Sequence, residues 1–200
     1  KNRIYAVNAN DGMYGFSLQG HPSDPYLIAN NFISTGGNNS GGYTMELQSL
    51  DYVKVVHNNL LTTNTDPDGA AFNDDYSYYN GSNGVEVLNN VFQNEGGGYA
   101  VKVDHSNTTT SFNYNNLYTT GSKLARWSTT DAADLADWQS VSSQAANSVS
   151  ADAQFLNDTN LHVNASILNK AATPLAYVSD DIDGESRDAS TPDIGADEFE

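Results

Sequence analysis

An Asn-Asn pair recurs through the first 120 residues of the chain at a nearly constant interval. The pairs begin at Asn30, Asn58, Asn89 and Asn115, so successive pairs are 28, 31 and 26 residues apart. Apolar residues follow each pair: Phe32-Ile33, Leu60-Leu61, Val91-Phe92 and Leu117-Tyr118. A repeat of this length is typical of a solenoid, in which each unit buries its apolar side against the next.

Short alternating segments precede these pairs and have the pattern of β-strands. They are residues 14–19, 43–48 and 99–104, with a degraded copy near 71–75. Too few residues separate the segments for crossover helices, so parallel pairing requires successive coils about 4.8 Å apart. The alternation predicts an inward row of Phe16/Leu18, Met45/Leu47 and Val101/Val103, and an outward row of Ser17, Glu46 and Lys102.

The predicted fold is therefore all-β: a right-handed parallel β-helix of about four to six coils. An antiparallel sandwich is the alternative, but sandwiches do not repeat one turn chemistry at a fixed period. Asparagine suits the corner of a coil because it tolerates left-handed backbone angles and its buried amide can bond the amide of the next coil. We assign Asn30, Asn58, Asn89 and Asn115 to such a structural ladder.

The repeat stops after Tyr118, and the residues beyond it are expected to close the solenoid. We assign residues 1–127 to the coils and 128–200 to a C-terminal cap of the same domain. Residues 128–131 form an N-cap cluster, and residues 132–139 are predicted to form a short helix with Leu135 and Trp138 on one face. A cap of this kind covers strand edges that would otherwise be exposed.

Composition excludes several partners. The chain has 8 Lys and Arg against 25 Asp and Glu, a net charge of −17, which repels nucleic acid. No apolar run approaches the roughly 20 residues that span a bilayer, so membrane insertion is not expected. There is no cysteine. Strand-like residues begin at Asn2 without a signal peptide, which suggests a larger parent chain on the N-terminal side.

The C-terminal region resembles a known family through a series of short elements. They are Trp138-Gln139, Ala146-Asn147-Ser148, Ala151-Asp152-Ala153-Gln154-Phe155, Leu161-His162-Val163, Asp181-Ile182-Asp183-Gly184-Glu185-Ser186-Arg187 and Pro192-Asp193-Ile194-Gly195-Ala196-Asp197-Glu198-Phe199. The series is similar to the ending of secreted bacterial parallel β-helix proteins of the "choice-of-anchor Q" type, which also occurs beside polysaccharide-lyase-like β-helices. The resemblance implies export or a bacterial cell-surface location. Residues 166–172 depart from the family's usual turn.

Acidic residues near the C-terminus suggest a cation site. Asp181, Asp183 and Asp188 around Gly184 have the spacing of an oxygen-ligand loop for Ca²⁺, which prefers six to eight oxygen ligands. The same residues also form a good Asx turn without a metal. Calcium is the one cofactor that the sequence suggests.

Lyase chemistry on uronate glycans needs a base and a cation that neutralises the sugar carboxylate. Lys102, Arg126, His105 and Glu46 are the candidate catalytic residues, with Lys102 and Arg126 adjacent if they occupy the same row of successive coils. The simpler alternative is that these charges pair with surface acids. Hydrolysis by Asp74 or Asp75 with Asp104 is a further alternative, since two carboxyls at a suitable separation are required.

Aromatic residues suggest a contact with sugar rings. Tyr76, Tyr78, Tyr79 and Trp127 are the candidate carbohydrate-binding residues, whereas Tyr43 and Tyr99 begin strands and are expected to pack on neighbouring coils. We therefore expect a secreted or cell-surface module that binds polysaccharide or belongs to a lyase-like enzyme. The alternative is a non-catalytic structural or adhesive stalk of a larger surface protein.

Overall fold

The computed structural model describes residues 1–6, 8–38, 40–75, 83–104 and 109–199. Its strands form three sheets. Sheet A contains β1 (Asn2–Ala6), β4 (Asn31–Thr35), β7 (Asn59–Thr62), β10 (Val91–Asn94) and β13 (Asn116–Thr119). Sheet B contains β2 (Met13–Phe16), β5 (Tyr43–Gln48), β8 (Ala70–Asp75), β11 (Tyr99–Val103), β14 (Ala125–Trp127) and β15 (Thr130–Ala132). Sheet C contains β3 (Tyr26–Ala29), β6 (Val53–Val56), β9 (Val85–Leu88) and β12 (Thr109–Asn113).

The chain visits sheets A, B and C in turn and then repeats the circuit. Each of β1 to β14 pairs in parallel with its copy one coil away, which gives four complete coils and the start of a fifth. The predicted parallel β-helix is confirmed. Among the described residues, no helix is long and apolar enough to cross a membrane.

The interior of the coils is a stack of apolar side chains. Phe72, Phe92 and Phe112 follow one another with ring centroids 5.2 and 6.1 Å apart, and Trp138 continues the stack at 5.4 Å from Phe112. All four side chains are fully buried. Such contact between successive aromatic rings favours a single register of the coils.

The inward row of the first coil differs from the sequence prediction. Met45 and Leu47 pair with Met13 and Gly15, whereas Phe16 pairs with Gln48 on the outer face and is half exposed. A shift of one residue moves a side chain to the opposite face of a strand. Leu18 packs against the core, as predicted, and an added Cβ at Gly15 would lie 2.8 Å from Leu47 and 3.1 Å from Leu18.

The asparagine ladder forms. However, the left-handed backbone and the buried amide that bonds the next coil belong to two adjacent residues rather than to one. Asn31, Asn58, Asn90 and Asn115 are joined in sequence by side-chain amide bonds of 2.7, 2.9 and 3.0 Å. The residue before each has the left-handed backbone, namely Asn30, His57, Asn89 and Tyr114. Asn58 and Asn115 therefore belong to the ladder, whereas Asn30 and Asn89 occupy the preceding left-handed position.

The end of the solenoid is closed by β15 and the helix α1 (Leu135–Ser142). The predicted start of the helix was wrong. Residues 130–132 instead pair antiparallel with β14, and Asp134 caps the helix by accepting a 2.9 Å hydrogen bond from the N–H of Asp137. Leu135 and Trp138 face the core, as predicted.

Residues 145–199, which we call the strap, continue from α1 and contain one short 3-10 helix (Ser166–Leu168). Residues 145–149 of the strap still close the end of the solenoid, where Ala145 packs in the core and Val149 pairs in parallel with Asn116, and the rest of the strap lies along the outer side of sheet A. Its Leu161 and Ile182 pack on Phe32 and Leu61. Its Val163 and Ile194 pack on Val91, as do Ala153 and Leu168. Sheet A is thus covered by the strap.

Candidate functional site

The outer face of sheet B carries the predicted ionic row. Glu46, Asn73, Lys102 and Arg126 occupy one register on β5, β8, β11 and β14. The predicted adjacency of Lys102 and Arg126 is confirmed, and Tyr14 rather than Ser17 is their counterpart on β2. Rows of this kind run along the solenoid with a step of about 4.8 Å per coil.

Basic and aromatic side chains converge at one end of this face. Lys102 Nζ donates to the Tyr43 hydroxyl at 3.2 Å and lies 5.1 Å from the centre of the Tyr43 ring. Arg126 donates to the Tyr99 hydroxyl at 2.6 Å, and Lys123 Nζ donates to the same oxygen at 3.2 Å. Three of the chain's 8 basic residues therefore meet on one small area of an otherwise acidic protein.

Asp131 binds this cluster from β15. Its carboxylate accepts from Arg126 Nε at 2.7 Å and lies 2.8 Å from Lys123 Nζ. The hydrogen bond from Arg126, with those from Lys123 and Tyr99, holds the pKa of Asp131 well below its usual range. Within the described residues Lys102 forms no ion pair, and this residue is 8% exposed.

Carboxyl groups lie beside the basic cluster on the same face. Gln48 Nε2 donates to Glu46 at 3.0 Å and to Asp75 at 2.6 Å. Burial raises the pKa of Glu46, the hydrogen bond from Gln48 lowers it, and the carboxyl of Asp75 raises it further. Burial also raises the pKa of Asp104, which the charge of Lys102 partly offsets. The face thus offers carboxyls that hold a proton above their usual range, a property of general acids.

The proposed tyrosine loop cannot be placed on this face. Tyr76, Tyr78, Tyr79 and His105 lie outside the described residues. Trp127 is described and is partly buried. Its ring points towards the core and meets Trp138 edge-on at a centroid distance of 5.4 Å, because position 127 continues the inward row of Val103.

Two exposed aromatic rings in the first coil were missed as candidate site residues. Tyr14 and Phe16 lie on the outer face of β2 and are 57% and 50% exposed. Tyr14 donates to Gln48 at 3.0 Å, which links it to the neighbouring carboxyl groups. The sequence prediction places Phe16 in the interior because its alternation is one residue out of phase in this coil.

The acidic residues assigned to calcium do not converge. Asp181 is buried, and its Oδ1 accepts the backbone N–H groups of residues 183, 184 and 185. Asp188 Oδ1 accepts from the N–H groups of residues 190 and 191. These are the Asx-turn roles that the sequence left open. Asp183 instead faces Arg3 and His162.

The C-terminal motif residues fasten the strap to sheet A. Arg187 donates to Glu198, to the side chain of Asn30 and to the carbonyl of Gly195. The backbone of residue 195 approaches Asn59 so closely that a side chain there would lie 2.5 Å from its amide oxygen. These contacts assign the motif a structural role in this chain.

Comparison with known proteins finds no family model, no curated protein and no solved structure that matches the chain.

Proposed function

We propose that the outer face of sheet B binds an acidic, uronate-containing polysaccharide outside the cell. The observation that carries this proposal is the convergence of Lys102, Lys123 and Arg126 on one face of a protein with a net charge of −17. A local group of cations can bind a carboxylate even in an acidic protein, because salt screens the remaining charges beyond about 10 Å.

The shape of the face suits an extended ligand. Its rows cross successive coils, so a linear glycan aligned with the solenoid would meet the basic cluster at one end and the rings of Tyr14 and Phe16 at the other. Exposed aromatic rings provide apolar surface for the C–H faces of sugars. The partly exposed carboxyl of Glu46 lies between the two ends and offers hydrogen bonds to hydroxyls.

Binding should fall roughly tenfold in Lys123→Gln and in Tyr14→Ala, since each change removes one contact at the edge of the ligand. Titration calorimetry with oligosaccharides of alginate, pectate and chondroitin measures this. Lys54→Gln is the matched control for charge, because Lys54 also pairs with one carboxylate, at 3.0 Å, but lies on sheet C. Tyr26→Ala on sheet C, 51% exposed, is the control for the aromatic change. Equal losses in variants and controls, or no binding to any acidic glycan, would refute the proposal.

Catalysis on the bound glycan is favoured by the raised pKa values of Glu46 and Asp104. Lyase activity would appear as ultraviolet absorbance of unsaturated uronate products, and hydrolysis as new reducing ends. Either product should disappear in Glu46→Gln while binding persists. Binding without product would identify a non-catalytic module.

The exposed apolar side chains and strand edges of the first coil favour a structural role within a longer solenoid. Five of its large apolar side chains are exposed: Tyr5, Tyr14, Phe16, Tyr26 and Leu27. Strand edges β1, β2 and β3 also lack a neighbour on one side among the described residues. We propose that another β-helix coil of a larger parent chain covers this end, because exposed strand edges readily accept further strands.

The exposed end should make the 200-residue chain self-associate at high concentration. Sedimentation velocity is expected to show a concentration-dependent shift that Leu27→Lys abolishes. Leu156→Lys is the control, since Leu156 is similarly exposed, at 54%, but lies on the strap. A monomer at all concentrations, or equal effects of the two changes, would contradict the stacking proposal.

A further inference from the structure

Three potential metal ligands converge where the strap crosses the first two coils. His162, Asp183 and Asp197 each place one ligand atom within 4.8 Å of the other two. His162 Nε2 lies 2.7 Å from Asp183 Oδ2 and 3.7 Å from Asp197 Oδ1. The residues come from three separate segments of the strap, so their convergence does not follow from closeness in sequence.

The hydrogen bonds of His162 define which nitrogen faces the two carboxylates. Nδ1 contacts Asn160 Oδ1, and the same oxygen accepts the backbone N–H of His162 at 3.4 Å. Because that oxygen is an acceptor, Nδ1 carries the proton. Nε2 then faces the two carboxylates, and the arrangement is satisfied either by a proton on Nε2, which donates to Asp183 at 2.7 Å, or by a metal ion that replaces this proton.

The surroundings hold these ligands in place. The side chain of Asp197 is 9% exposed, and its Oδ1 is too far from Nε2 for a hydrogen bond. Arg3 binds Oδ1 of Asp183 and leaves Oδ2 towards the histidine. The ring of Phe32 packs edge-on against His162 with centroids 5.0 Å apart. Partners of this kind orient the ligands in metal sites.

We propose that His162, Asp183 and Asp197 bind a divalent transition-metal ion of the zinc class. One imidazole nitrogen and two carboxylate oxygens match the ligand preferences of Zn²⁺ and leave one position for water. Calcium is a poorer match because it takes oxygen ligands and needs at least six. The ion would join strap segments that contact Arg3 and Phe32, and would thereby fasten the strap to the first two coils.

The test is titration of the untagged full chain with Zn²⁺, Co²⁺ and Ca²⁺. Zn²⁺ is expected to bind with one-to-one stoichiometry and raise the melting temperature, and Co²⁺ should give the visible absorption of a low-coordinate site. Ca²⁺ should do neither. His162→Gln and Asp197→Asn should each weaken Zn²⁺ binding at least tenfold. His21→Gln should leave it unchanged, since in the described part of the chain the hydrogen bonds of the His21 side chain are to Ser23.

Two controls keep the result interpretable. Circular dichroism without metal establishes that each variant is folded, and calorimetry reports binding separately from melting. Zn²⁺ binding that survives in His162→Gln, that is lost in His21→Gln, or that Ca²⁺ reproduces would overturn the proposal.

Discussion

Replacing Asn58 with alanine is expected to lower the free energy of unfolding by roughly 4 kcal/mol. The Asn58 amide donates to the Asn90 side chain at 2.9 Å and to the carbonyls of Ile28 and Val56, both at 3.0 Å. Its oxygen accepts the side chain of Asn31 at 2.7 Å. All of these bonds are buried, and each polar group left without a partner costs about 1–3 kcal/mol.

Chemical denaturation of Asn58→Ala and of the isosteric Asn58→Asp measures this effect. The aspartate variant leaves no cavity but lacks the two amide donors, so it should be at least as destabilised as the alanine variant. Asn157→Ala is the control, because the Asn157 side chain stabilises only an exposed turn through bonds to Thr159. Losses below about 1 kcal/mol in both Asn58 variants would contradict a buried ladder.

Acidification is expected to destabilise the fold through His57. This residue is fully buried, its Nδ1–H donates to the carbonyl of Gly195 at 3.0 Å, and its Nε2 accepts from Asn89 at 2.9 Å. Burial, together with the charge of Arg187, lowers the pKa of His57 from 6.5 to about 3. In the neutral form both ring nitrogens are hydrogen-bonded. Protonation of Nε2 would place its N–H against the N–H group of the Asn89 amide and break that hydrogen bond.

The direction of the effect follows from the lowered pKa. Between pH 6.5 and about 3 the unfolded chain binds a proton at residue 57 that the folded chain does not. The contribution of His57 to the free energy of unfolding is therefore fully present above pH 6.5. It falls as the pH drops, by about 4–5 kcal/mol in total. His57→Asn removes the titrating group and keeps a residue that tolerates the left-handed backbone, as Asn30 and Asn89 do at equivalent positions.

Denaturation of wild type and His57→Asn across this pH range isolates the contribution, since the carboxylates titrate in both proteins. The wild type should lose more stability on acidification than the variant. His21→Asn, which changes an exposed histidine, should follow the wild type. Parallel pH profiles for wild type and His57→Asn would show that His57 is not held neutral in the fold.

The coils were predictable from sequence because one local rule repeats. Tight corners need a left-handed residue followed by a buried amide, and Asn supplies both. Because Asn suits both positions, the sequence prediction assigns Asn30 and Asn89 to the ladder although they occupy the left-handed position. In the pairs at Asn30 and Asn89 the second Asn joins the ladder, whereas at Asn58 the first Asn does, because His57 takes the left-handed position. Pair counting alone cannot distinguish these arrangements.

The candidate site was predictable only where register decides it. Lys102 and Arg126 are neighbours because they share a row of parallel strands. Their partner Asp131 depends on an antiparallel return after β14, which nothing in the coil period indicates. The convergence of His162 with Asp197 depends on the path of the strap, where regular periodicity is absent.

Glycan binding on the outer face of sheet B is tested most directly by nuclear magnetic resonance mapping with a defined oligo-uronate. We predict that the largest chemical-shift changes fall on β5, β8, β11 and β14, at Glu46, Asn73, Lys102 and Arg126. Changes concentrated on sheet C or on the strap, with sheet B unaffected, would contradict binding at this face.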